Sequence, residues 1–488
     1  LNKNTTYTKG NPQGGLSPIT SKWMHSIFND EALLNDLFGK YGSPINIHHL
    51  PTFSTNIKKY QYLFNDYGLR HQIFYARKAN KCKSLVKQAF ASGIGVDTAS
   101  FRELEQSLNL GAPGRNLVLT AAIKTQDQYE LAIKNQVPII LDNLDECEQA
   151  NVFARKLGKK AIVGFRVSGF TVEDEKLYSR FGFDITQVST FILENVGEGK
   201  RFEHLCVDGI HFHLDGYSTL QRGKALSDSI SLTEQLNDKG FQIKFIDIGG
   251  GILMNYLQDE QQWKDFDAQL REQVSSGKGN LTFNNNGLGY EKIEGKVVRT
   301  LKTYPYYNSL NGTDFLKAIL DYKDLKSGRS NAERLKKHQL EIRIEPGRSL
   351  LNQVGMTVAR VAHRKQDYKG QWLVGLEMNM SQMMSSSSDF LLDPFIIYRK
   401  KAGAGLPVDV FFTGAYCLER DLLLKRKISL PQLPQPGDYV AFVNTAGYMM
   451  HFFETEAHLF ELSKNLSFDA SEDFSSEEFI NDENISEN

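Results

Sequence analysis

Lys78, Asp97, His213 and Glu345 each stand near the C-terminal end of a short β-rich run. A primary amine, two carboxylates and an imidazole gathered at one place can do carbonyl chemistry. A lone lysine at a strand end is usually just solvated; one that converges with an acid and a ring is not. Two glycine-containing segments add an anion site. Asp247-Ile248-Gly249-Gly250-Gly251 closes another run, and its glycines let backbone N–H groups approach a phosphate closely. Glu345-Pro346-Gly347-Arg348 offers a second set, from Gly347 and Arg348. Imine formation by a lysine, an acid for a pyridine nitrogen, an imidazole to stack on a ring and a cradle for a phosphate are together the needs of pyridoxal phosphate. Metal binding by His211 and His213 is the alternative, without a recognisable third ligand set.

Strand phasing carries this argument. In LEIRIEPGR, Leu340, Ile342 and Ile344 form the apolar phase, which turns Glu341, Arg343 and Glu345 inward. Inward charges are either an ion-pair ladder or part of a site. The same phasing puts Phe74, Ala76 and Lys78 on one face, His211 with His213 on another, and Arg166 with Ser168 on a third.

The elements that must position these residues are eight β-rich runs, mostly separated by helical patterns. They begin at Gln72, Gly95, Asn116, Pro138, Ala161, Val207, Phe245 and Leu340. The first five start about 22 residues apart, the length of a strand, a loop and a helix. The pattern predicts an α/β fold, a (β/α)8 barrel over residues 50–350, with active-site residues at the C-terminal ends of its strands. No GxGxxG follows the first run to favour an open doubly wound sheet. Residues 351–465 change to β-rich runs separated by Gly, Pro and Ser, an all-β domain to which the segment 1–49 contributes through SPINIHHL. Residues 257–339 form a long insertion between the last two barrel strands. Residues 466–488 hold acids, Ser and Asn without Lys or Arg, and are expected to be a disordered acidic tail.

Composition sets the outer limits. Across 488 residues, Lys+Arg 57 against Asp+Glu 58 gives a net charge of −1, so no field draws in a phosphate backbone, and nucleic acid is excluded as a partner. No run approaches the roughly 18 apolar residues of a membrane span, and the polar start has no secretory core, which reads as cytoplasmic. The four cysteines are scattered and expected to be free thiols.

YARKAN, GVDTAS, HFHLDG, DIGGG, EPGRS, TGAYCLERD and NTAGY occur in order, and with them the chain resembles the fold-type III pyridoxal-phosphate decarboxylases, the group of diaminopimelate, ornithine and arginine decarboxylases. The resemblance runs from Tyr41 to Met449, the insertion aside. It implies an alanine-racemase-like barrel with a β domain. It also implies that Lys78 makes the imine link, His213 stacks on the ring, Glu345 pairs with the pyridine nitrogen, and Gly250, Gly251, Gly347, Arg348 and Tyr448 hold the phosphate. Arg166, Asp97 and Glu103 match positions lining the site. Cys417 matches a catalytic cysteine inserted from the partner subunit, which implies a homodimer with shared active sites.

The chain departs from the family pattern at Arg77, where a small aliphatic residue is usual, and at Asp215-Gly216, where a Gly-Ser pair is usual, with Ser218 as a replacement phosphate contact. Leu418 stands where an acid usually recognises a distal amine, leaving Glu419 and Asp421 as substrate-binding candidates. The expected activity is decarboxylation of an amino acid, diaminopimelate-like or a bulkier carboxylate-bearing one of siderophore or other secondary metabolism. The alternatives are a racemase of the same fold, for which the resemblance implies an arginine in place of Glu345, and a non-catalytic cofactor-binding homologue.

Overall fold

The computed structural model describes residues 6–385, 390–399, 406–470 and 474–487. Eight parallel strands, one from each β-rich run, close into a barrel: His71–Ala76, Gly95–Thr98, Leu117–Leu119, Ile139–Leu141, Ala161–Ser168, Leu205–His211, Phe245–Asp247 and Glu341–Ile344. Sequential strands are neighbours, and Ile342 beside His71 closes the ring between the eighth and first. Strands this short stay in register because both faces are buried. Phe74, Val118, Ile140 and Phe245 fill the barrel floor, while Ile73, Tyr75, Val96 and Ile342 pack outward under the helices. Glycines make room for the two phenylalanines: a Cβ on Gly95 would lie 2.6 Å from the Phe74 ring, and one on Gly209 2.1 Å from the Phe245 ring.

Helices start where the sequence supplies caps. Ser100 accepts from Glu103 N–H at 3.2 Å while the Glu103 carboxylate accepts from Ala99 N–H at 2.7 Å, opening Phe101–Asn109. The second layer is a ten-stranded sheet whose longest strand, Gly355–Gln366, pairs with Trp372–Leu376, with Tyr439–Val443 and with the N-terminal strand Ile45–His49.

Two expectations are corrected. Part of the 257–339 insertion belongs to the barrel's outer ring. Gly312–Asp321 and Asn331–Lys337 pack on the helix Thr219–Asp238, with Asn331 Nδ2 donating to Gly223 O at 2.8 Å and Arg334 to Ser227 O at 3.0 Å. The added matter is the helix Glu260–Ser276, a small hairpin and a tyrosine run, bridging to the β domain at Phe283 N–H to Lys425 O, 2.8 Å. The 466–488 tail is not disordered where described. Lys464–Phe468 runs parallel to Ile45–His49, and Ile480–Asn481 returns against it. Asp482 then accepts from Lys83 and Ser84 N–H, both at 2.9 Å, capping the helix Lys83–Ala91. The acids act as caps, and the stacked pair Phe468 and Phe479, 4.7 Å apart, anchors the return. Residues 471–473 and 488 of that tail lie outside the described residues.

Candidate active site

The first barrel strand ends in a 3-10 turn, Arg77–Ala79, which lifts Lys78 over the mouth. Its Nζ meets Asp97 Oδ2 at 3.0 Å, and Asp97 also takes the Thr120 hydroxyl. Burial opposes the charge on Lys78, but the carboxylates of Asp97 and Glu345 outweigh it and push the ammonium's pKa up. Arg77, the first departure from the family pattern, turns outward. Its buried guanidinium donates to Glu103 O at 3.0 Å and Ser107 Oγ at 3.2 Å, fastening the turn to the helix Phe101–Asn109.

Lys78, Thr120, Arg166, Phe181, His211, His213 and Glu345 line one cavity of about 260 Å3, with Ala99 and Ala122. His211 and His213 differ in direction. His211 Nε2 meets Glu345 Oε1 at 3.2 Å, whereas His213 Nδ1 accepts the Gly250 N–H at 3.1 Å. The pair weighed as the metal-binding alternative is thus split between two partners. Burial holds both imidazoles neutral, reinforced by Arg166 at His211 and by Lys78 at His213. Glu345 is 3% exposed, and burial raises its pKa against the pull of Lys78 and Arg166.

Gly250 was expected to hold the phosphate; its N–H is committed to His213 instead. The N–H groups of Gly251, Gly347 and Arg348 have no protein acceptor among the described residues, and these form the open set. Tyr448 sits at φ +71°, a strained conformation for a bulky residue, and its N–H donates to Ala79 O at 2.8 Å. That turn brings its hydroxyl onto Gly347, where a Cβ would lie 2.8 Å from it. The Arg348 guanidinium is 4.2 Å from the Tyr304 ring and 5.3 Å from the Tyr448 ring. Ser218 is engaged as the N-cap of Thr219–Asp238, accepting from Gln221 N–H at 3.2 Å.

Cys417, Leu418 and Glu419 lie on an exposed loop of the β domain, and none lines this cavity within one chain. Asp421, expected to contact substrate, is 3% exposed and braces that loop instead: its oxygens accept from Met380 N–H at 2.8 Å and Tyr416 N–H at 2.7 Å. Its neighbours' unpaired N–H groups draw it inward.

Sequence reading missed Thr120, Phe181, Asp247 and Arg222. Asp247 was findable, because it follows the inward phase of Phe245 just as Glu345 follows that of Arg343. Arg222 was not: it lies within an ordinary helix, yet its buried guanidinium bonds Gly250 O at 2.9 Å and Leu214 O at 2.8 Å, bracing the glycine loop from below.

Residues 52–280 match the family described as "Pyridoxal-dependent decarboxylase, pyridoxal binding domain". An uncharacterized protein of Sinorhizobium fredii, y4yA, is 30% identical over 87% of this chain and 88% of its own length. A diaminopimelate decarboxylase of Aquifex aeolicus is 28% identical over 48% of this chain and 57% of its own. In structure, the diaminopimelate decarboxylase of Helicobacter pylori complexed with L-lysine aligns with a TM-score of 0.66 at 18% identity, covering 92% of this chain and 95% of that one. That likeness is one of fold.

Proposed function

The chain belongs to the fold-type III pyridoxal-phosphate decarboxylases, and from that membership we propose that it removes the α-carboxylate of an amino acid carrying a second, distal carboxylate, using Lys78 as the cofactor-binding amine. Its cofactor is pyridoxal phosphate, and it is a carboxy-lyase. Among the described residues no helix is long and apolar enough to cross a membrane.

The observation that carries the reading is the single cavity shared by Lys78, His213 and Glu345. The residues fit the cofactor. The open N–H groups of Gly251, Gly347 and Arg348, with the Arg348 charge and the Tyr448 hydroxyl, make an anion cradle beside a ring-sized space. When bound, pyridoxal phosphate supplies a reactive carbonyl and a ring that accepts the electron pair left behind by carbon dioxide. Around it His213 presents its neutral face, and Glu345 holds a carboxylate for the ring nitrogen. Asp97 holds the Lys78 ammonium until a proton is shed. Arg180, exposed and 3.9 Å from the Phe181 ring at the cavity wall, offers a cation to a distal carboxylate. Leu418, in place of an acid, offers nothing to a distal amine. Diaminopimelate carries both groups; a bulkier diacid carries the one this wall selects.

Cys417 then completes the site of a second copy and protonates the substrate carbon. The exposed apolar residues Leu418, Phe452, Phe453, Leu459 and Phe460 are the surface such a copy would cover.

Carbon dioxide release from a panel of labelled amino acids by the cofactor-loaded protein tests the substrate class. Release from a dicarboxylic amino acid, and its fall by about 100-fold in Glu345→Gln, is expected. Inversion of configuration without carbon dioxide sinks the reading. Mixing Lys78→Ala with Cys417→Ala subunits tests the shared site: about a quarter of wild-type turnover returns if half the dimers are mixed and each has one intact site, and none returns if each chain serves itself.

A further inference from the structure

His211, Asp247 and Glu345 are 1%, 0% and 3% exposed, and one ligand atom of each lies within 4.8 Å of the others. Asp247 Oδ1 accepts the Gly249 N–H at 2.9 Å, but its Oδ2 is buried without a hydrogen-bond partner, and the Asp247 carboxylate adjoins that of Glu345, one oxygen of each within 4.8 Å of the other. Two ionised carboxylates in a dry site repel strongly, and one donor to each does not offset the loss of water around both, so one proton lies between them. On the other side, His211 Nε2 meets Glu345 Oε1, while its buried Nδ1 has no partner. A neutral imidazole keeps its proton where an acceptor waits, which places it on Nε2 and leaves Nδ1 as a bare lone pair.

The surrounding charges decide which carboxylate is the anion. Lys78 and Arg166 face Glu345, and Arg166, Lys78 and Lys124 disfavour charge on His211. Asp247 is faced by Arg343, which is already bonded to Glu341 at 2.6 Å, and is repelled by Glu345 and Asp97. His213 is turned to Gly250 and takes no part.

We propose that Asp247 and His211 are positioning residues that hold Glu345 as the one negative charge of this trio, with a protonated Asp247 and the Nε2–H of a neutral His211 each donating to it. Glu345 would otherwise share its charge or rotate away; held from both sides, it presents a fixed carboxylate to the ring nitrogen. The inference rests on the reading of Glu345 as that nitrogen's partner.

The test uses holoenzyme loaded with cofactor labelled with 15N at the ring, in wild type, Asp247→Asn, Asp247→Ala, His211→Phe and Glu345→Gln. Asp247→Asn keeps a donor and adds no charge, so its 15N resonance and pH profile stay unshifted and kcat stays within about threefold. Asp247→Ala and His211→Phe move the resonance toward the unprotonated ring and lower kcat about tenfold. Isotope-edited infrared spectra of the wild type contain a protonated-carboxyl band that Asp247→Asn removes. A shift of the pH profile by a unit or more in Asp247→Asn means that Asp247 is ionised and overturns the proposal. So does an unmoved resonance in Asp247→Ala with normal cofactor affinity, or a stoichiometric divalent metal that survives dialysis of the wild type. If Glu345→Gln alone leaves the resonance at its wild-type position, the reading of Glu345 is wrong; if Glu345→Gln moves it and the Asp247 variants do not behave as stated, only the trio is.

Discussion

The strand Glu341–Ile344 and the residue after it put three charges inside one barrel, and the two ends treat them differently. At the floor, Glu341 and Arg343 pair at 2.6 Å, and the guanidinium lies 3.5 Å from the Phe245 ring. That is an ion pair packed on aromatic faces, one acid to one base, although Arg343 Nη1 is left without an acceptor. At the mouth, Glu345 stands with Asp97 and Asp247 against Lys78 and Arg166, beside a cavity, with the buried atoms Asp247 Oδ2 and His211 Nδ1 left unpartnered. Inward charge alone therefore does not mark a site. Nor does an unpartnered buried atom alone, since Arg343 Nη1 at the floor is one too; what sets the mouth apart is that several titratable groups of both signs converge there on the lining of a cavity.

The sharpest way to break this contrast is to exchange effects between the ends. Lys78→Ala lowers kcat by on the order of 10^3-fold or more and abolishes the absorbance of lysine-bound cofactor, while the denaturation free energy moves by less than about 1 kcal/mol, because Asp97 keeps the Thr120 hydroxyl. Steady-state kinetics and urea melts of one preparation check both. Normal turnover in this variant ends the assignment of the mouth.

His48 is a buried polar residue just behind the mouth wall whose ring is fully partnered, so it should behave like the floor. Nδ1 donates to Leu466 O at 3.1 Å, and Nε2 accepts from Asn80 Nδ2 at 2.9 Å. Burial lowers its pKa to about 4. The unfolded imidazole takes up a proton as pH falls below 6.5 while the folded one does not, so stability is full above 6.5 and is lost down to pH 4. The loss from this residue is about 3 kcal/mol. In His48→Gln, the fall in unfolding free energy from urea melts across that window shrinks by about this amount, and the pH profile of kcat is unchanged. A profile shifted by the substitution would tie His48 to the chemistry. At the floor itself, Arg343→Met strands Glu341 against the aromatic rings and costs about 2 kcal/mol, and Glu341→Leu in the same chain restores most of it. Turnover in the double variant remains near wild type; a tenfold loss would erase the distinction between the two ends.

The eight barrel strands were legible because period-2 phasing and helical spacing are local signals, and a charge in the inward phase, such as Glu345, stands out against them. What phasing cannot give is direction within the site. His211 and His213 share a strand face in the sequence, yet one bonds Glu345 and the other the Gly250 N–H, a choice made by loops 35 or more residues away. Asp421 has the composition of a substrate ligand and the environment of a loop brace, because unpaired N–H groups of Met380 and Tyr416 converge on it. The resemblance named Gly250 for a phosphate, but not that its N–H would be taken by His213 Nδ1.

The tail is the clearest case of a charge count outvoted by three-dimensional use. Its acids include Asp482, whose two oxygens serve the first N–H groups of Lys83–Ala91, a helix that begins one turn beyond Lys78 and backs the mouth wall. No residue near that helix start in sequence does this: Cys82 is the N-cap residue and its side chain makes no cap bond. Asp482→Ala therefore removes a cap supplied from 400 residues along the chain, and a loss of about 1 kcal/mol is expected. Amide exchange should quicken at the first turn of Lys83–Ala91 and leave Phe101–Asn109, which carries its own Ser100 cap, unchanged. Equal protection in both helices before and after the substitution would mean that the tail does not hold the wall, and that composition alone had described it correctly.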